Sequence, residues 1–442
     1  MKKIISGILS LALCVGAFTG CSKQAGNSDV TTVTVWTNDA GAKMIWEEVI
    51  NDFNQNEGKE KKIQIKWETY ASDYATTVDV ARQNDQLPEI LTLTANQRDE
   101  FIAAGDIISL YDIEGGKEFL EEYPTPLVER TNLIDGKVYS ALSGSNVAGL
   151  IYNKDLFKKA GIVDENGEAM PPKTMEELRE YAKKLTNVSE GIYGYSYPMG
   201  FDFGYTITLP ASQSYVIQYD CDNLKVSYDE VKPILSTLLQ MKEDGSLFPG
   251  AESLDNDTSR AYFAEGKVGM MPGISWDVGV LTTQFVADCD WGVAAFPLVG
   301  DEAKHAAWHD LSGSYFISKT AKNIEPEKLM AVYKLLYSKE TRAKMYENGI
   351  KIPCIDDLED VVDTEKIPEQ FVQFKNLYDD EYVVKNRKSF VIEGDSLGTV
   401  WEKVWMGKTT LDEGIDDFNK RASEAFEKAV KEGKIDVEEY RN

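Results

Sequence analysis

The chain has 442 residues, of which 47 are Lys or Arg and 74 are Asp or Glu, for a net charge of -27. That much acid disfavours nucleic acid and anionic surfaces as partners, while the length allows two or three domains with sizeable cores. The cysteines do not form a disulfide framework: Cys14 and Cys21 lie near the N-terminus, and Cys221, Cys289 and Cys354 read as free, buried thiols.

Lys2 and Lys3, the apolar run from Ile4 to Phe18 and the small residues Thr19 and Gly20 make residues 1–20 a secretory signal. The run is too short and wrongly flanked for a membrane span. Residues 21–32 lack apolar periodicity and read as a tether. Phe18-Thr19-Gly20-Cys21 resembles a bacterial lipobox at Gly20 and Cys21, departing from it at Phe18, where leucine is usual. The resemblance implies a lipidated Cys21 and anchorage on the outer face of the plasma membrane, made stable by two or more acyl chains.

Val33-Thr34-Val35-Trp36 alternates as a strand and runs into the polar turn Thr37-Asn38-Asp39. Ile45, Trp46, Val49, Ile50 and Phe53 then recur at helical spacing. Ile63 to Trp67 alternates again, Tyr74 to Ala81 suits a helix, and Leu87 to Leu93 returns to strand. This order predicts an α/β unit with parallel strands, whose ligand crevice lies beyond the strand C-termini. Asn38, Asp39, Asn96 and Gln97 are thereby expected at one edge. A further helix closes at Gly105, followed by the apolar Ile107 to Leu110.

Ser143-Gly144-Ser145-Asn146 breaks an apolar run with small and polar groups before the buried-strand pattern Val147 to Tyr152. A polar break in a buried run suits a chain crossing from one lobe to another, and an ordinary loop before a strand is the alternative. Thr174-Met175-Glu176-Glu177 has the pattern of a capping box behind Pro171-Pro172, starting a helix with Leu178, Tyr181, Ala182 and Leu185 on its buried stripe. Tyr193 to Tyr219 is dense in aromatics and suits either a loop-built aromatic wall or core packing. Val268 to Met271 reads as strand, followed by a glycine-bearing turn to Trp276 and Asp277, with Trp276 expected in a cleft. Trp308-His309-Asp310 to Ser314 is the expected return crossing. Helices then run through Leu329 to Leu336, and from Trp401 to Ala429, the last covering one lobe's face.

Four stretches together, VTVWTND, LPEILTLTANQRDEFIAAG, ALSGSNVAGLIYNKDLFKKAG and FAEGKVGMMPGISWDVG, resemble the extracellular solute-binding proteins of carbohydrate ABC importers, the maltose-binding class. The resemblance implies a periplasmic-binding-protein-like α/β fold, with two lobes joined by a multi-crossing hinge around a cleft. It implies a first lobe of 33–145 plus 311–352 and a second of 146–310 plus 353–442. It also implies a monomer that binds one saccharide reversibly, tightens by hinge closure and delivers its ligand to a membrane permease, with no catalysis and no cofactor.

Carried over by position, Trp36 stands where the family has an aromatic at the end of its first strand, and Asn38 and Asp39 where it has polar sugar contacts. Asn96 and Gln97 replace an aspartate and an arginine of the maltodextrin binders, Asn146 replaces a glutamate, and Trp276 falls at or near a stacking tryptophan. The lost charges argue against maltose and leave the sugar class intact. A sugar ring needs aromatic surface under its C–H faces and donors and acceptors around its rim. Trp36, Trp276 and Trp308 beside Asn38, Asp39, Asn96, Asn146, Asp277 and Asp310 supply both, and the three aspartates favour a neutral or amino sugar over an acidic one. Each hydrogen-bonding group left unpaired by a wrong epimer would cost about 1 to 3 kcal/mol.

Two other classes compete. Asp39, Asp277 and Asp310 could in principle provide the carboxylate pair of a secreted glycoside hydrolase, and an anchored interaction module would need no small ligand. A metal-dependent hydrolase is disfavoured, because His305 and His309 are the only histidines and no H-E-x-x-H occurs.

Overall fold

The computed structural model describes residues 30–70, 73–305, 307–377 and 387–441. The signal, Cys21 and all but the last residues of the tether lie outside the described residues.

The first sheet grows from strands whose alternate residues are apolar. Thr31–Thr37 (β1) buries Val33, Val35 and Thr37. It pairs in parallel with Ile63–Thr69 (β2) and with Ile90–Leu91 (β3). The order is β2-β1-β3, then the strand Phe316–Ser318, then Ile107–Ile108 (β4). The expected parallel arrangement is therefore present in β1 to β3, and the return segment adds an antiparallel member. The strand predicted over Leu87 to Leu93 shrinks to two residues. Trp46, Val49, Ile50 and Phe53 turn one face of the helix Lys43–Gln55 (α1) onto the core around this sheet.

The second sheet is organised on Gly144–Asn153 (β5), in which every residue is buried. Leu150 and Tyr152 enter one core, Val147 and Ile151 the other, so both faces are covered and the stretch from Val147 to Tyr152 reads as continuously apolar. Tyr193–Tyr195 (β6), Val268–Ile274 (β7) and Trp291–Ala294 (β8) complete the order β8-β5-β7-β6. The helices Leu397–Trp405 and Leu411–Lys431 bury Trp401, Trp405, Ile415, Phe418 and Phe426 in the core on the Leu150 side. Thr174 caps its helix by accepting from Glu177 N, but the Glu177 carboxylate accepts from Lys173 N at 2.7 Å, so the reciprocal bond forms one residue outside the predicted box.

Between the sheets the chain crosses more than once. The first half of β5 pairs antiparallel with His309–Ser312 (β9), setting Asn146 opposite Asp310 and Ser145 opposite Leu311. Ser145 also donates its N–H to Ile352 O at 2.7 Å, which adds a third segment. Gly313, at φ 80°, closes against this ribbon: a Cβ there would stand 1.8 Å from Ser143 Oγ, so only glycine fits.

Tyrosine hydroxyls hold the ribbon on the side of the first sheet. Tyr123 donates to Leu142 O at 2.6 Å, Tyr333 donates to Tyr315 O at 2.9 Å, and Tyr337 lies 3.0 Å from Ala141 O. On the other side Val147 exchanges hydrogen bonds with Ser275, and Ala148 N donates to Trp308 O. The short stretches 143–146 and 310–313 lie between these two sets of fastenings.

Candidate functional site

A cavity of about 700 Å³ opens between the two sheets, bounded by loops from both and floored by the crossing ribbon. Its polar wall comes from the C-terminal ends of β1 and β3. Thr37 ends β1 and Asn38 and Asp39 follow it, while Thr92 and Leu93 follow β3. Thr92 Oγ1 donates to Asn38 Oδ1 at 3.1 Å and Asp39 N donates to Thr37 Oγ1 at 3.1 Å, so the turn is internally braced. Parallel strands end together, which is why two loops far apart in sequence meet here.

The opposite wall is aromatic. Tyr205 meets Trp276 edge to face at 5.5 Å between centroids, and Phe201 lies 5.5 Å from Tyr205. Phe201 and Tyr205 are exposed while Trp276 is half-buried. The dense stretch Tyr193 to Tyr219 thus divides: Tyr195 and Tyr197 are core residues, and Phe201 and Tyr205 form a wall.

On the floor, Asn146 Nδ2 donates to Asp310 Oδ1 at 2.9 Å and lies 3.1 Å from Ser312 Oγ. Asn146 N also donates to the same carboxylate oxygen at 3.2 Å. Asn146 Oδ1 is buried and has no protein partner. An acceptor in that state costs about 1 to 3 kcal/mol until a donor reaches it. Burial pushes the Asp310 carboxyl above the usual range, against the hydrogen bonds from Asn146 and the attraction of Lys351.

Three cationic side chains also reach the cavity: Arg98, Arg260 and Lys351. Arg98 Nε donates to Asp99 at 2.8 Å. Arg260 comes from the helix Asn256–Ala264 and donates through Nε to Asp277 Oδ1 at 2.8 Å and through Nη1 to Asp257 at 2.8 Å. The second Asp277 oxygen accepts from Ile274 N at 2.7 Å. Burial would lower the Arg260 pKa, but these carboxylates outweigh it and hold the guanidinium charged. Both arginines retain N–H groups beyond those contacts, because a guanidinium has five.

Of the residues expected at the site, Asn38, Asp39, Asn146, Trp276 and Asp310 line this cavity. Five others do not. Trp36 is half-buried on β1, packed on Tyr70 at 5.2 Å, because strand alternation turns it away from the direction of Thr37. Asn96 is exposed on the helix Ala95–Ala103. Gln97 is buried as the reciprocal partner of the Thr94 cap, and its Nε2 donates to Ala75 O and Asp79, each at 2.8 Å. Asp277 is consumed by Arg260 and Ile274 N. Trp308 packs against Ala148 and Ile274 in a small core.

Sequence reading missed Arg98, Arg260 and Lys351. Arg98 stands one residue beyond Gln97, so the helix start was flagged and the residue of it that lines the cavity was not. Arg260 has a local partner in Asp257, but its pairing with Asp277, 17 positions away, carried no local signal.

Residues 48–372 match the bacterial extracellular solute-binding protein family. The chain belongs to that family. That family's description, an extracellular solute-binding protein, weighs against the glycosidase reading of the aspartates.

Among its relatives, the sn-glycerol-3-phosphate-binding periplasmic protein of Brucella abortus (strain 2308) is 32% identical over 145 residues, 31% of this chain and 32% of that one. A binding protein of the same strain is 26% identical over 241 residues, so the chain spans about half the length of the first curated relatives it matches, 54% in that case. Solved structures agree over far more of the fold. The GacH receptor of Streptomyces glaucescens, studied unliganded and with acarbose, superposes with TM-score 0.70 at 20% identity, covering 91% of this chain and 99% of that one. The maltose/maltodextrin-binding domain of Bdellovibrio bacteriovorus, bound to maltotriose, gives 0.65 at 18% identity over 91% and 100%. The solute-binding protein thus has the two-sheet periplasmic-binding-protein fold.

Proposed function

We propose that the protein is the receptor of an ABC importer and binds a neutral or amino saccharide in the cavity between its sheets. The observation that carries this reading is an aromatic wall, Phe201, Tyr205 and Trp276, facing hydrogen-bonding groups on Asn38, Asp39 and Asn146. A sugar ring offers an apolar face to the first and hydroxyls to the second. Its hydroxyls could also satisfy the buried Asn146 Oδ1 and the remaining N–H groups of Arg98 and Arg260.

The charge arrangement favours a neutral ligand. Both arginines already have carboxylate partners, so they serve as oriented donors with much of their field cancelled. The half-buried Asp39 leaves a carboxylate that suits an amino substituent. The relatives that bind sn-glycerol 3-phosphate support a second reading, in which the three cations receive an anion. Neighbours solved with acarbose and maltotriose support the first.

On this reading the ribbon at 144–147, 309–312 and 352 separates a lobe of 33–145 plus 311–352 from one of 146–310 plus 353–442, and closure occurs by bending there. The monomer is held by a lipid on Cys21 to the outer face of the membrane, where it delivers its ligand to the permease.

The test is tryptophan fluorescence of residues 22–442, titrated with mono- and oligosaccharides, amino sugars and sn-glycerol 3-phosphate. A saturable change at micromolar or lower concentration for a neutral or amino sugar is expected. A response to the phosphate ester alone would replace the neutral reading by the anionic one. Slow loss of an oligosaccharide would point to hydrolysis, and silence from folded protein across the panel would end the saccharide assignment.

A further inference from the structure

Half of the aromatic wall hangs on one short turn. Gly204–Thr208 winds as a wide π-helical turn, in which Leu209 N donates to Gly204 O at 2.9 Å. Such turns are rare and often mark functional sites. This one faces two ways. Phe203 and Ile207 pack into the core around Leu150, while Phe201 and Tyr205 line the cavity. Leu209, just beyond the turn, packs with Trp276 against Ile274. The core therefore holds the turn from behind, and the two exposed rings need a hold of their own.

Asp202 supplies that hold. Its Oδ1 accepts from Gly204 N at 2.7 Å and from Tyr205 N at 3.3 Å. Its backbone carbonyl accepts from Thr206 N and from Thr206 Oγ1, each at 3.1 Å. One residue thus pins the backbone on both sides of Tyr205. A Cβ at Gly204 would stand 2.7 Å from Asp202 Oδ1 and push the carboxylate off these donors, so glycine is what lets the brace form. The ring held in this way also looks onto the floor: burial, and after it the carboxylates of Asp310 and Asp202, push the Tyr205 phenol above its usual range. Asp202 itself stands outside the cavity lining.

We propose that Asp202 is a positioning residue for ligand binding, which sets the rings of Phe201 and Tyr205 against Trp276 before any ligand arrives. The role in binding rests on the saccharide reading of the cavity; the brace itself does not. Exposed rings on an unbraced turn sample several arrangements, and a ligand that needs one of them must order the rest at a cost to its own affinity. With the brace in place that ordering has been done during folding.

Two measurements test this. The first needs no ligand: protein carrying fluorotyrosine is followed by fluorine NMR, with the Tyr205 resonance assigned through Tyr205→Phe. Asp202→Ala should move or broaden that resonance, because Tyr205 is no longer held at the edge of Trp276, while tyrosines away from the turn keep theirs. Gly204→Ala should do the same by displacing the carboxylate. Asp202→Asn keeps an acceptor oxygen in the same place and should restore the parent resonance. An unmoved Tyr205 resonance in Asp202→Ala overturns the proposal. So does a change spread over all the tyrosines, or an Asp202→Asn spectrum that matches Asp202→Ala. If Asp202→Ala fails to fold, Gly204→Ala decides by the same criteria.

The second uses whichever member of the panel binds. Calorimetry should give a Kd raised by roughly threefold to tenfold in Asp202→Ala, as expected when one or two rings must be ordered on binding, and the parent Kd in Asp202→Asn. An unchanged Kd in Asp202→Ala overturns the role in binding. A silent panel ends the saccharide assignment and leaves the fluorine result standing, so the two readings fail separately.

Discussion

The two walls of the front cavity are built by different means. The polar wall uses backbone turns at the ends of parallel strands, braced by bonds as local as Asp39 N to Thr37 Oγ1. The aromatic wall uses large side chains from two distant segments, brought together by the Tyr205–Trp276 contact. Each strand-end turn is a property of its own short sequence, although the two turns meet only in the sheet. A wall built from distant rings exists only once the second sheet has assembled, so damage to its supports should act on stability as well as binding.

The largest expected effect is at such a support. Asp277→Ala leaves Arg260 charged and buried without its main partner, and should destabilise the fold by about 3 to 5 kcal/mol in urea titrations. A loss under about 1 kcal/mol would show that Arg260 instead finds water through the cavity. Next, Trp276→Ala should weaken ligand binding by more than about 1 kcal/mol with the fold intact. Collapse of the fold would move Trp276 from wall to core. On the opposite wall, Asn38→Ala should cost binding about 1 kcal/mol and leave the urea midpoint in place. If it cost as much stability as Asp277→Ala, the distinction between the walls would be lost.

A pH profile sharpens the same comparison at the floor. Because burial raises the folded pKa of Asp310, its contribution to stability is fully present below the ordinary carboxylate value. It is lost as pH rises through the raised folded value. Asp310→Asn should flatten that segment of the stability profile, measured by urea unfolding at stepped pH, and an unchanged profile would assign the slope to other groups. The smallest effect is expected at Asn96→Ala, which should alter affinity by less than about 0.5 kcal/mol, as an exposed side chain outside the cavity does. A larger change in calorimetry would extend the polar wall onto the helix Ala95–Ala103.

How far each wall was legible follows from how it is built. Thr37-Asn38-Asp39 could be read because an alternating strand ending in a polar turn announces both the strand and its exit. Trp36 lies outside the cavity because strand alternation turns it away from Thr37, and whether its face meets ligand or packing depends on neighbours such as Tyr70, not on the strand itself. Gln97 and Arg98 differ by one position on one helix, yet the first closes a cap and the second reaches the cavity. That difference of about 100° around the helix axis is invisible until the start of the helix is fixed.

The sequence by itself determined the alternating strands of the first sheet, the apolar run Val147 to Tyr152 within β5, the polar breaks at Ser143–Asn146 and Asp310–Ser314, and the long helix that ends on a core face. These rest on local periodicity, which a chain carries with it. Tertiary structure decided that the two polar breaks pair as Asn146 with Asp310, that Asp277 serves Arg260 and not the cavity, and that Trp308 is core. Each of those outcomes is a choice among partners far apart in sequence. The choice is made by which buried charge must be neutralised and which ring fits the space left, quantities defined only when both sheets are in place.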